Sequence, residues 1–438
     1  MSVALEAAFY PSVGRARYAQ VVLALVALFS AMDSQVVGLL IEPIKHELKL
    51  ADVQVGLAYG TAYFAAYGVL AAPAGLLADR LPRVRLLMAA VTLNCASMVL
   101  TGLSHGLGML VLSKVVSGVS AAMTYPAAIS LLSDFFAPDR RAFGSLSYGV
   151  GQQLGRVAAL LVGGLGYSAL VTWVAHDPRA LGGLAPWRVV SLIFAVVGIL
   201  IPPLLLATRE PARMEIRSAD KGAFRELWEF RATLVPLFLG IMCLSGASSG
   251  LYTFLAPALM RLYKLQPGDF ALPASVITIV CGLAAVAAAG KLINAARARG
   301  GNRAMLLPAA ITTLLIVPCT AMGLMPNVAG FAVLYVFFLF LNDVAIFIPV
   351  TAINFQLPNE LRGLSMGAYV VLIAIAGMIG SPLVGYVGSL LGGDQMIGAA
   401  MAVVAAPLAA VAAVCFWAAS RARAPGPPSV AITRGHAA

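Results

Sequence analysis

Apolar runs of about twenty residues recur from one end of this chain to the other, and each is long enough to cross a bilayer as a helix. The stretch from Val21 to Ile41, VVLALVALFSAMDSQVVGLLI, holds a single carboxylate, Asp33. A charge near the middle of a span costs several kcal/mol and is expected to face a cavity or a partner. The runs are apolar on every face, which excludes the alternating pattern of a β-barrel. Of 438 residues 61% are hydrophobic and 11% charged, against about 25% charged in soluble domains. The fold class is therefore all-α integral membrane. The net charge of +11 reads as basic loops on one membrane face, with no nucleic-acid partner.

Twelve spans are expected, at 18–41, 53–78, 84–104, 107–133, 141–172, 188–208, 233–259, 270–296, 304–324, 328–355, 363–391 and 395–419. They group as an N-terminal half (1–208), a cytoplasmic linker (209–232) with a short surface helix AFRELWEF, a C-terminal half (233–419) and a disordered cytoplasmic tail (420–438). Arg15 and Arg17 precede the first apolar run without a cleavage site, so the run reads as a retained span. With both termini inside, 21 of 29 Lys/Arg fall on cytoplasmic segments. That bias obeys the positive-inside rule and points to a multi-pass protein of the cell inner membrane, surrounded by membrane lipids and expected to be monomeric. The five cysteines all sit in apolar segments without ligand spacing, so neither a metal site nor a disulfide framework is expected.

The two halves repeat weakly. Gly75-Leu-Leu-Ala-Asp79-Arg80 after span two is echoed 215 residues on by Gly290-Lys-Leu-Ile-Asn294-Ala after span eight. Pro138-Asp-Arg140-Arg141 after span four is echoed by Pro358-Asn-Glu-Leu-Arg362 after span ten. Two related six-helix halves are a transporter architecture, with the substrate site between them near the midplane.

The stretch GLLADRLPRVR, Gly75 to Arg85, resembles the loop motif of the major facilitator superfamily. The resemblance implies a major-facilitator-type fold of twelve helices in two six-helix halves. Gly75 would let two helices approach, and Asp79 would meet the positive N-terminus of span eleven near Gly363. Gly75, Asp79, Arg80, Arg140, Arg141 and Arg362 are thus the expected cytoplasmic gate; Asn294 replaces the acid in the second copy. The run from Met32 to Gly56 also resembles the first span and loop of bacterial Spinster-type transporters. Ser133 to Arg141, Trp187-Arg188 and Thr208-Arg209-Glu210-Pro211 agree with it. That family implies proton-linked carriage of lysolipids, sphingolipids and related amphiphiles. Two positions depart from its pattern. Ser34 follows Asp33 where the family has an Arg, and Ala121 stands where it has a membrane Glu, so of the two acids only Asp33 remains.

Depth brings charges to one level. Asp33 lies about eight residues from the outer end of span one, roughly 12 Å, and Lys114 about seven residues from the outer end of span four, roughly 10 Å. Arg156 in span five is near that level too. The three are expected to form a polar cluster of net positive charge, with Gln35, Tyr63, Tyr125, Gln152 and Gln153 as neighbours. Asp343 in span ten is a further candidate for proton or substrate. The expected function is a proton-coupled secondary transporter using Asp33, Lys114 and Asp343. Its substrate is a lipid-like amphiphile or, alternatively, a small organic anion met by the cationic excess. A non-transporting sensor or scaffold is the remaining class. No Walker motif is present, and the four histidines lie in loops or tails without a nucleophile elbow, so neither an ATP-driven pump nor an enzyme is expected, and no cofactor.

Overall fold

Backbone in hydrocarbon must satisfy its own hydrogen bonds, and the apolar runs do so as helices. A computed structural model describes residues 11–136, 141–177, 179–211, 227–357 and 359–422. Twelve helices are long and apolar enough to cross a membrane. In chain order they are α1 (Val13–Leu48), α2 (Asp52–Arg80), α3 (Arg83–Gly102), α4 (Leu107–Phe135), α5 (141–176) and α6 (Pro186–Ala207). The second half holds α7 (Arg231–Tyr263), α8 (Pro267–Arg299), α9 (Gly301–Cys319), α10 (Val328–Gln356), α11 (Asn359–Leu391) and α12 (Ile397–Arg421). Most of the expected linker, the first half of AFRELWEF, and the tail beyond Ala422 lie outside the described residues.

The helix α1 runs seven residues beyond the expected end of span one, through Pro43, and stops at Lys49 with φ 51°. The extension carries Glu42 and Lys45, and both find buried partners, so the charges do not end the helix. Two helices contain a π-helical turn, Leu57–Ala62 in α2 and Ala159–Gly163 in α5. Such turns redirect side chains and often mark functional places.

The C-terminal half buries one continuous apolar core. The N-terminal half buries two. One includes Ala16 to Phe29 of α1 and Leu131 of α4; the other includes Met32 to Ile44 of α1 and Leu110 of α4. Between them lies a polar layer of Asp33, Asn94, Ser97, Lys114, Ser117 and Ser120, each at most 5% exposed.

The halves meet where α2 packs on α11, α5 on α8 and α1 on α7. At the end away from the termini, here the far end, this packing is tight. A Cβ on Gly56 would lie 2.5 Å from Pro382 Cα, and one on Gly385 would lie 2.6 Å from the Asp52 carbonyl oxygen. Toward the termini end α2 stays packed in its own half through Ala74 and Ala78, whereas a Cβ on Gly75 would meet nothing within 4 Å.

Candidate functional site

A cavity of about 360 Å³ lies between the halves. The N-terminal half supplies Gln35, Tyr59, Tyr63, Lys114, Gln153 and Arg156 to its wall; the C-terminal half supplies Tyr252, Tyr335 and Asp343. The π turns place Tyr59 and Leu160 in that wall. Much of the remaining surface is apolar or aromatic, with Leu39, Phe64, Leu259, Phe270 and Phe331 among it. A wall of this kind binds a molecule with an apolar body and a few polar points.

The expected polar cluster is divided by the fold. Asp33, 2% exposed, lies behind the cavity wall. Its Oδ2 accepts from Ser117 Oγ at 2.5 Å, and its Oδ1 has no hydrogen-bond partner. Lys114, 4% exposed, makes no ion pair with it; the ammonium sits over the Tyr59 ring, 5.3 Å from the centroid. The levels match as depth requires, but Ser117, three residues along α4, reaches the carboxylate first while Lys114 turns to the cavity. Arg156 lies on the cavity side of α5 and faces the C-terminal half, where its charge reaches Asp343, Tyr252 and Tyr335. Neither Arg156 nor Asp343 has a hydrogen bond or ion pair among the described residues. The cavity thus holds two cations from one half and one acid from the other. Tyr125 and Gln152 do not line it; Tyr125 is 53% exposed and packs edge-on against Tyr148.

Beside Asp343 the C-terminal half is neutral and fully bonded. Asn342 accepts from Ser248 at 2.7 Å and donates to Tyr252 at 3.2 Å. The hydroxyls of Ser249, Thr253 and Ser381 join α7 to α11 at 2.8–2.9 Å.

Among the described residues, charge networks escaped sequence reasoning; besides the Arg188–Glu47 pair at 2.9 Å, two gather several carboxylates. At the far end Arg261 of α7 binds Asp52 through two nitrogens at 2.7 and 2.8 Å and Glu42 at 2.8 Å. Lys45 binds Asp52 at 2.9 Å and Asp394 at 2.5 Å. This cluster joins the halves and closes the far end of the cavity. The presence of Arg261 and Lys45 near span ends was visible, but hydropathy gives no sign of their mutual burial. At the termini end Arg83, 1% exposed, binds Asp134, Glu210 at 3.1 Å and Ser130 at 3.2 Å. The stretches carrying the Spinster resemblance contain Asp134 and Glu210, which was the available signal.

Of the expected gate, Asp79 and Arg80 are exposed, with no bond among the described residues. Arg140 lies outside the described residues, as do the side chains of Arg141 and Arg362. The motif arginine that is buried is Arg83.

Known proteins resemble the chain over most of its length. The sequence profile described as Major Facilitator Superfamily matches residues 23–356. An MFS-type efflux pump of Mycolicibacterium smegmatis is 25% identical over 408 residues, 91% of each chain. Among solved structures, a bacterial homolog to the human lysosomal transporter Spinster, inward-facing and unoccupied, superposes with a TM-score of 0.79 at 21% identity, covering 94% of this chain and 96% of that one. Its inward-facing occupied form gives 0.76 at the same identity and coverage. A nucleoside transporter gives 0.69 at 12% identity, over 92% of this chain and 99% of that one.

Proposed function

The chain belongs to the major facilitator superfamily, and from that premise we propose a proton-coupled secondary transporter that moves an amphiphile with an anionic head by alternating access. The supporting observation is the cavity between the halves, which combines Lys114, Arg156 and Asp343 with a largely apolar and aromatic wall. A head group of negative charge meets Arg156 and Lys114; the apolar body lies against Leu39, Phe270 and Phe331. Gln35, Tyr63 and Gln153 supply hydrogen bonds to the head.

Asp33 carries the proton. While ionised it holds Ser117 and attracts Lys114 at a distance. Once protonated it no longer attracts Lys114, and the ammonium engages the substrate. Asp343 is the second carboxylate of the cycle, released when substrate takes Arg156 from it. A ligand can shift the two-state equilibrium only by its differential affinity, and Arg156 and Asp343, half-buried in the cavity wall on opposite halves without a direct bond, are where that difference arises.

The bias of basic residues supports cytoplasmic termini, and on that reading the far end faces outward across the inner membrane. With the far end sealed, the described state is inward-facing. In the outward-facing state Gly75, Asp79, Arg80, Arg140, Arg141 and Arg362 close the cytoplasmic end.

A volume of about 360 Å³ lies at the small end of the range for ligand sites, roughly 300–1,000 Å³. That observation favours the second reading, a small organic anion imported with protons. Purified protein in liposomes, driven by a pH gradient and offered single-chain anionic amphiphiles and short organic acids, separates the two. Amphiphile flux that is lost in Asp33→Asn supports the first reading. Flux of acids alone supports the second, and gradient-driven flux unchanged in Asp33→Asn overturns the proton role.

A further inference from the structure

Six buried side-chain atoms among the described residues have no hydrogen-bond partner: Asp33 Oδ1, Tyr59 Oη, Asn94 Oδ1, Ser97 Oγ, Thr313 Oγ1 and Ser365 Oγ. An unmet buried polar group costs about 1–3 kcal/mol, so a concentration of them calls for an occupant. The first four belong to the polar layer that splits the N-terminal core or to its edge.

Helix register brings them together. Ser120 of α4 donates to the Ala90 carbonyl of α3 at 2.7 Å, and Thr101 of α3 donates to Ser113 of α4 at 3.1 Å. Ser117 lies between Ser113 and Ser120, so it faces the part of α3 between Ala90 and Thr101. Ala90, Asn94, Ser97 and Thr101 are spaced four, three and four residues apart, which is one helix face. Asn94 and Ser97 therefore sit on the face turned to α4, at the level of Ser117. Ser117 is also the residue that holds Asp33. Tyr59 of α2 and Cys95, next to Asn94, both lie within reach of the Asp33 charge.

We propose that Asp33, Asn94, Ser97 and Ser117 form a binding site for a small alkali cation, with Na⁺ as the ion of the right class. Asp33 Oδ1 and Asn94 Oδ1 are acceptors that no donor reaches, and both side chains are at least nine-tenths buried, at 2% and 4% exposed. The hydroxyls of Ser97 and Ser117 have lone pairs to give; the Ser117 proton is already committed to Asp33 Oδ2. A set made only of oxygen suits a hard cation. One carboxylate among neutral oxygens suits a single charge. Lys114 does not fill the place, because its ammonium is over the Tyr59 ring. Ser117 and Tyr59 both line the central cavity, which gives the ion a path in. The site deepens the proposed coupling and rests on it in one respect: Na⁺ and the proton would compete for the same carboxylate.

Binding of radiolabelled Na⁺ to the purified full-length protein, with choline replacing Na⁺ at constant ionic strength, tests the site. Saturable binding is expected in the wild type and lost in Asp33→Asn. Asn94→Leu weakens it by at least about ten-fold. Asn94→Asp, which keeps an oxygen in place, retains it, whereas a purely packing role for Asn94 would not distinguish the two variants in Na⁺ affinity. Thr313→Val, at an unpartnered hydroxyl of the other half, leaves binding unchanged. Absence of saturable binding in the wild type overturns the proposal, as does equal affinity in wild type and folded Asn94→Leu. The proton reading is judged separately: pH-driven flux that needs Asp33 without any Na⁺ binding sinks the cation site and leaves that reading standing. Na⁺ binding alongside pH-driven flux that ignores Asp33 does the reverse.

Discussion

The two ends of the protein use the same chemistry in different places. At the far end a buried arginine, Arg261, gathers two carboxylates, Glu42 and Asp52, from the opposite half. At the termini end a buried arginine, Arg83, gathers Asp134 from its own half and Glu210 from the start of the linker, and neither comes from the opposite half. Each arginine is at most 7% exposed. Only the first network lies across the surface along which the halves would separate. A buried charge cluster resists a motion when the motion must pass through it; otherwise it stiffens the body that moves. Far-end opening must return Glu42, Asp52 and Arg261 to water, whereas the Arg83 cluster can travel with the N-terminal half intact.

The contrast is broken most directly at Arg261. In Arg261→Met the two buried carboxylates keep Lys45 on Asp52 as their cationic partner, and Glu42 keeps a hydrogen bond to the His46 ring. Removing one member of a buried cluster costs about 3–5 kcal/mol, a population shift of roughly a hundred-fold or more toward the far-open state. Spin-label distances between Ala51→Cys and Lys264→Cys, exposed far-end sites on opposite halves, should lengthen. Arg83→Met should cost a similar amount, about 3 kcal/mol, but as lost thermal stability. The same far-end distance stays unchanged. A lengthened far-end distance in Arg83→Met would erase the difference between the two networks.

A smaller effect sharpens the comparison within the far-end cluster. Asp394 has a half-exposed carboxylate, so Asp394→Asn should shift the far-end distance distribution only slightly, by about 0–1 kcal/mol. The smallest effect belongs to Asp79. It is exposed and unbonded in this state, so Asp79→Asn should leave thermal stability unchanged. Its consequence should be confined to the fraction of protein closed at the termini end.

The twelve helices were legible in the sequence because apolar length is a local property. So was the shared level of Asp33 and Lys114, which needs only a count of residues from span ends. What a count does not give is direction around a helix. Ser117 is three residues from Lys114, yet it takes the carboxylate that depth alone would assign to the lysine. Arg156 shares their level and lines the same cavity as Lys114, away from Asp33, which lies behind the wall. The far-end cluster was hidden for another reason. Arg261 lies 209 residues from Asp52 and 219 from Glu42, and nothing in hydropathy separates a buried charge at a span end from an exposed one. The extension of α1 through Pro43 follows from the same omission: Glu42 and Lys45 read as the start of a loop unless their partners are known.

In the proposed mechanism the chain alternates between two closed ends, and the far-end cluster holds one of them. Two distances measured on the same preparation test it: Ala51 to Lys264 at the far end and Arg85 to Lys291 at the termini end, in wild type and in Arg261→Met. The expected result is reciprocal, with the far-end distance lengthening in Arg261→Met while the termini-end distance shortens. A far-end distance that lengthens alone, or two distances that do not move, would contradict it.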